Sequence, residues 1–209
     1  MKRGLFVVIE GIDGAGKTTQ ARLLAQALTA QGHDVVLTRE PSDGPQGQKL
    51  RTYLSGSSRH LSPGEELDLF LADRREHVAG IIRPALEQGK VVITDRYYHS
   101  SVAYQGALGL DPQAIGAAHA DFAPEPDLIV ILAIPPEKAR ERRLLGRGEA
   151  SQVSEAPDYL EKVALLYAGM QGKYLFHLDG SAPPEAVHAQ ILAKVLQVLD
   201  GETGQSEER

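Results

Sequence analysis

The chain has no cysteine among its 209 residues, which excludes a disulfide scaffold, a thiolate zinc site and a cysteine nucleophile. It has no apolar run long enough to cross a bilayer. The longest, Leu128 to Ile134, falls far short of the roughly 20 residues a spanning helix needs. It has no basic excess either: 22 Lys and Arg stand against 28 Asp and Glu, a net charge of −6. That argues against a nucleic-acid partner but leaves room for a local basic pocket. The run Leu5-Phe6-Val7-Val8-Ile9 stops at Glu10 with no small-residue cleavage site behind it, so it reads as a strand rather than a signal peptide. Internal repeats and interdomain linkers are absent. The expectation is a soluble cytoplasmic protein with no membrane partner. Its length is enough to bury a substantial core in one domain, residues 1–200, with 201–209 as a polar, frayed tail.

What is present is a regular alternation. Leu5–Glu10, Asp34–Arg39, Lys90–Asp95, Asp127–Ile134 and Tyr174–Leu178 read as five strands. Four are rich in Val, Ile and Leu without clean alternation, the pattern of strands buried on both faces in a parallel sheet. Between them lie helical stretches: Lys17 to about Gln31, stopped by Gly32; Glu65 to Gln88, stopped by Gly89; and one opened by Pro135-Pro136-Glu137. Pro157 to about Met170 and Pro183 to Leu199 follow, the last with Val187, Ile191, Val195 and Leu199 on one face. The order predicts an α/β fold with a doubly wound, five-stranded parallel sheet.

Gly11-Ile12-Asp13-Gly14-Ala15-Gly16-Lys17-Thr18 matches G-x-x-x-x-G-K-S/T at every fixed position, after a strand and before a helix. The glycines let successive backbone N–H groups turn inward around a phosphate, and the helix adds its positive end. Lys17 would bridge the β- and γ-phosphates and Thr18 would offer its hydroxyl to Mg²⁺. The loop indicates nucleoside triphosphate binding. By itself it does not choose between a switch, a motor and a small kinase. A guanine reader, Asn-Lys-x-Asp, is absent from the chain.

Other residues narrow the choice. Asp95, at the end of the third strand, reads as a carboxylate reaching Mg²⁺, or else as the cap of the next helix. Arg96 follows it directly. Arg74 falls within the apolar stripe Leu67, Phe70, Leu71, Val78, Ile81 and Ile82. A guanidinium there needs an anion. Either it pairs with a core aspartate or snorkels, or it belongs to an acceptor pocket in which Phe70 stacks on a base and Arg74 holds the phosphate. Thr38-Arg39-Glu40-Pro41 ends the second strand at the same sheet edge. Ser100 to Gly106 offers hydroxyls and an amide to a base edge, or is ordinary helix surface. Arg140, Arg142, Arg143 and Arg147 crowd one helix and read as a solvated face or as a mobile arginine-bearing lid, about residues 141–156. Arg147, between Gly146 and Gly148, is the best placed to move.

Taken in order, Phe6–Gln20 (FVVIEGIDGAGKTTQ), Thr38–Pro41, Leu69–His77 (LFLADRREH), Asp95-Arg96-Tyr97 and Ser100–Gly106 (SSVAYQG) resemble the thymidylate kinase family over about residues 5 to 200. The resemblance implies a nucleoside monophosphate kinase type of P-loop fold with a lid, transfer of phosphoryl from ATP to dTMP with Mg²⁺, and a homodimer. It implies that the loop from Gly11 through Ile12, Asp13, Gly14, Ala15, Gly16, Lys17 and Thr18 to Thr19 holds the ATP phosphates. Thr18 and Asp95 would serve the metal. Asp13, Arg39, Glu40, Phe70, Arg74, Arg96, Ser101, Tyr104 and Gln105 would line the acceptor site, with Phe70 on thymine, Arg74 at the thymine edge and Arg39 and Arg96 at the phosphate. Lys17, Asp13 and Arg96, with Arg143 or Arg147 from the lid, would carry catalysis. The chain departs from the family where a glycine pair and threonine usually follow Glu40-Pro41, having Ser42-Asp43-Gly44-Pro45 instead. It departs again in the lid, where Ser151-Gln152-Val153-Ser154 replaces an Asp-Arg-x-Glu-like run. Another deoxynucleotide acceptor, or a nucleotide-binding paralogue, is the alternative these departures leave.

Overall fold

The computed structural model describes residues 3–56, 60–147 and 157–204, without the side chains of 145–147, 157 and 202–204. Five strands, β1 (Phe6–Glu10), β2 (Val35–Arg39), β3 (Val91–Asp95), β4 (Leu128–Ala133) and β5 (Leu175–Asp179), form one sheet in the order β2-β3-β1-β4-β5. Every pairing is parallel. β1 and β3 are buried at every residue and β4 at all but its last, as uninterrupted Val/Ile/Leu runs require. The edge strands β2 and β5 are only partly covered.

The helices in chain order are α1 (Lys17–Ala30), α2 (Pro45–Ser55), α3 (Pro63–His77), α4 (Arg83–Glu87), α5 (Tyr98–Ala107), α6 (Pro112–Ala117), α7 (Pro136–Arg147), α8 (Pro157–Gly169) and α9 (Pro184–Gly204). α1 packs against α9, and α5 against α8; both α8 and α9 reach β4. The sheet is therefore doubly wound. Leu24 and Leu28 of α1, Ile9 of β1, Ile93 of β3 and Ile191 and Val195 of α9 belong to one buried cluster.

Several details differ from the sequence reading. The helix expected over Glu65–Gln88 starts earlier, at Pro63, where Ser62 and Glu65 form a reciprocal capping box. It is then interrupted by a π-helical turn, Val78–Ile82, before α4. The last helix continues to Gly204, past the expected fraying at Gly201. α2 and α6 were not anticipated. Of the lid expected at 141–156, residues 148–156 lie outside the described residues.

The register positions the site. Ile9 and Arg39 both pair with Asp95, so β1, β2 and β3 end at one level. β1 leads by way of α1 to β2 on one flank, while β4 lies on the other. The loop after β1 thus sits where strand order reverses, the crevice that ligands occupy in such sheets.

Candidate active site

The glycine-rich loop is shaped by close approaches that no side chain would permit. Gly14 has φ +89, and a Cβ there would lie 2.2 Å from the Ala139 carbonyl oxygen on α7; Gly11 has φ +138 and would meet Leu132 O at 2.7 Å. Gly16, also left-handed, is the N-cap of α1, which points its free first-turn amides and positive dipole end at the loop.

Lys17 is buried, donating to the Ile12 carbonyl at 2.9 Å with Asp13 Oδ1 at 3.9 Å. Burial, and then the neighbouring Arg96 cation, pushes its ammonium down to about 8. Thr18 Oγ1 donates to Asp95 Oδ2 at 2.5 Å, while the buried Asp95 Oδ1 has no hydrogen-bond partner among the described residues. A hydroxyl beside an unused carboxylate oxygen fits a hard, oxygen-seeking cation such as Mg²⁺.

Arg96 has φ +76, in the left-handed region that residues other than glycine rarely adopt. Its guanidinium donates to Asp13 Oδ1 at 2.6 Å, Ser100 Oγ at 2.9 Å, Tyr104 OH at 3.3 Å and Gly11 O at 3.4 Å. Burial alone would raise the Asp13 carboxyl; Arg96, followed by Lys17, outweighs this and holds it well below the usual carboxylate range. The Asp13 backbone N–H donates to Tyr104 OH at 3.2 Å, so Tyr104 touches both the loop and Arg96.

At the end of β2, Arg39 donates to Asp43 at 2.9 Å and Arg51 lies 3.3 Å from the same oxygen. Arg51, on α2, also donates to the Pro41 carbonyl at 2.8 Å and to that of Ser42. The Glu40–Pro41 bond is cis. Ser42 donates from N and Oγ to Asp73 of α3.

Arg74 finds its anion inside the protein. Its Nε and NH2 donate to Glu40 Oε2 at 2.8 and 2.6 Å, and its NH1 to Ser101 Oγ at 3.1 Å and His119 Nε2 at 2.6 Å. The partner is a glutamate, where the sequence suggested an aspartate, and Arg74 is 1% exposed. Phe70, half-buried one turn earlier on α3, shares its helix face. Gln105, also buried, donates to Glu66 at 2.9 Å, and its Oε1 has no partner among the described residues.

A cavity of about 560 Å³ joins these parts. Its walls are Asp13, Gly14, Gly16 and Lys17–Thr19 of the loop; Arg39, Glu40, Pro41, Arg51, Asp95 and Arg96 at the sheet edge; and Arg142 and Arg143 of α7. Phe70, Arg74, Ser101, Tyr104 and Gln105 are not among those lining residues. Arg74 is bonded to Glu40 and to Ser101, and Tyr104 to Arg96. Arg147 ends α7, and its side chain lies outside the described residues. Arg142, read with its neighbours as solvated face or lid, instead donates to the Gly180 and Ser181 carbonyls at 2.7 and 3.2 Å, pinning α7 to the turn after β5.

Sequence reasoning missed Arg51 and Glu10. Arg51 carried no motif signal. Glu10 carried one: a carboxylate at the end of an apolar strand, taken only as the end of the run, is fully buried here.

A family model described as "Thymidylate kinase" matches residues 9–191. The chain is 43% identical over 196 residues to "Thymidylate kinase" of Desulfotalea psychrophila (strain LSv54 / DSM 12343), covering 94% of this chain and 96% of that protein. It is 48% identical over 198 residues to the protein of that name from Xanthomonas campestris pv. campestris (strain B100), covering 94% and 85%. With the one from Xanthomonas oryzae pv. oryzae (strain PXO99A) it shares 44% over 205 residues, covering 95% and 88%.

Proposed function

The chain belongs to the thymidylate kinase family, and from that membership we infer how its residues divide the transfer of phosphoryl from ATP to dTMP, giving dTDP and ADP. Identity of this degree over nearly the whole chain does not favour another acceptor or an inactive paralogue.

We propose that the amides of Gly11–Thr19 and the Lys17 ammonium hold the ATP phosphates at the N-terminus of α1. Family members generally use Mg²⁺, and Thr18 and Asp95 are the residues that would hold it; bound, it neutralises phosphate charge. Arg39, Arg51 and Arg96 grip the acceptor phosphate across the cavity, Asp13 fixes one fork of Arg96, and Arg143 or Arg147 meets charge on the moving group. Phe70, Arg74, Ser101, Tyr104 and Gln105 form the nucleoside end. Such a reaction needs positioning and electrostatics and no protein nucleophile. A cytoplasmic homodimer, with a lid over 141–156, completes the proposal.

One observation carries the reading: a single cavity is lined both by Lys17, Thr18 and Asp95 and by Arg39, Arg51 and Arg96. The test is ADP release in a coupled assay over a panel of nucleoside monophosphates. dTMP should stimulate most. No stimulation by dTMP overturns the reading, and ATP binding without transfer to any acceptor would indicate a non-catalytic protein.

A further inference from the structure

Glu10 is the last residue of β1, has no exposed surface and does not line the cavity, yet its carboxylate meets four donors. Oε1 accepts from the backbone N–H of Tyr97 at 2.8 Å and of Ser100 at 3.1 Å. These are the N-cap and first-turn amides of α5, whose own N-cap side chain makes no capping bond. Oε2 accepts from Ser100 Oγ and from Tyr167 OH of α8, both at 2.7 Å. One buried carboxylate thus ties β1, α5 and α8 together.

This cluster reaches the Arg96 side chain, while β1 holds its backbone. Its backbone N–H donates to Ile9 O at 3.0 Å, next to Glu10, and its NH1 donates to Ser100 Oγ, the hydroxyl that Glu10 holds. A helix N-terminus alone does not call for this arrangement. A local Ser or Asp caps at far lower desolvation cost than a carboxylate buried in the sheet. Burial acts to raise the Glu10 carboxyl, and the Arg96 cation is the foremost group opposing it, so the two charges depend on each other. The left-handed backbone of Arg96 persists only where its surroundings over-determine it.

We propose that Glu10, with Ser100 and Tyr167, is a positioning brace that aims Arg96 at the acceptor phosphate. This rests on the reading that Arg96 grips that phosphate. The test is a double-mutant cycle in the full-length enzyme: Glu10→Gln and Tyr167→Phe, each alone and combined with Arg96→Ala. kcat and KM for dTMP would be measured, with ATP affinity read from a fluorescent ATP analogue. Small misplacements of a phosphate-gripping group cost up to about 10²-fold, and that is the fall in kcat/KM for dTMP expected of Glu10→Gln, with a fall of roughly tenfold for Tyr167→Phe. ATP affinity should hold within about twofold, and in the Arg96→Ala background both effects should shrink to about twofold or less, because the brace acts through Arg96. Effects that multiply with that of Arg96→Ala, or ATP affinity falling in step, overturn the brace while leaving Arg96 its role. An Arg96→Ala enzyme as active as the parent overturns both. Should Glu10→Gln fail to fold, Tyr167→Phe, which deletes one hydroxyl, completes the cycle.

Discussion

Removing the charge of Glu40 should destabilise this protein more than removing that of Arg74, although the two form one ion pair. The Arg74 guanidinium is 1% exposed. Its other neighbours, Ser101, His119 and the Tyr97 ring at 5.6 Å, bring no negative charge, and Asp73 is engaged by Ser42. An arginine cannot shed its proton to escape burial, whereas a carboxylate can take one up. Glu40→Gln therefore leaves an uncompensated buried cation, a cost of about 3–5 kcal/mol. At roughly 2–4 °C per kcal/mol for a chain of this size, Tm should fall by about 6–20 °C. Arg74→Met should cost less, and its deficit should depend on pH in a defined direction. In the intact protein, burial pushes the Glu40 carboxyl up, but Arg74, followed by His77, outweighs this and holds it below its ordinary 4.5. Its stabilising contribution is full above 4.5 and is lost as pH falls through the lowered value. Without Arg74 the burial remains and the sign reverses, so the deficit should grow as pH rises above 4.5. The double variant Glu40→Gln/Arg74→Met should recover most of the loss. Urea unfolding at several pH values, with m unchanged, measures all three. A Glu40→Gln protein within about 1 kcal/mol of the parent, or a double variant that loses the sum of the singles, refutes the reasoning.

Lys17→Met should lower kcat by about 10²–10³-fold, the usual cost of losing one donor to developing charge, with Tm little changed. Parity with the parent in single-turnover transfer would contradict the role given to Lys17. Asp95→Asn should raise the Mg²⁺ concentration for half-maximal rate by about tenfold or more, read from a Mg²⁺ titration at fixed ATP. Arg51→Ala should raise KM for dTMP by roughly 10- to 100-fold, through loss of a charge-assisted contact, with KM for ATP unchanged. Acid should destabilise the fold through two imidazoles. Burial, and next the Arg74 cation, push His99 down to about 3 and His119 to about 4 from 6.5. The unfolded chain takes up protons that the fold refuses, so stability is full above 6.5 and falls below it. At pH 5 each site should cost about 2 kcal/mol, measurable as the part of the acid loss removed by His99→Phe or His119→Gln.

How much of this was legible in the sequence follows from how far apart the partners lie along it. The phosphate loop was readable because its chemistry is contained in Gly11–Thr18, strand before and helix after. The sheet was readable because β1, β3 and β4 lie in the interior and display it as unbroken apolar runs. The start of α3 could have been read more closely, since the Ser62–Glu65 box is a local signal. The π turn at Val78–Ile82 had a local signal too, since Gly80 weakens a helix and Pro84 cannot donate to the Gly80 carbonyl. The Arg74 stripe correctly announced a buried cation in need of an anion, but its partner is 34 positions away at the end of another strand, and periodicity does not reach that far. Arg51 likewise enters the cavity because α2 folds back over Pro41 and Ser42. Glu10 is the extreme case. Parallel register sets Ile9 beside Asp95, which brings a residue that ended an apolar run against the first turn of α5 and against Tyr167, 157 positions later. Once the strand order is known, pairing places Glu10 level with Arg96 at the β3–α5 turn, and the pleat sets which face its side chain takes. A buried charge at the end of a central parallel strand is thus informative in proportion to what the next strand carries at the same level, and here it carries Arg96.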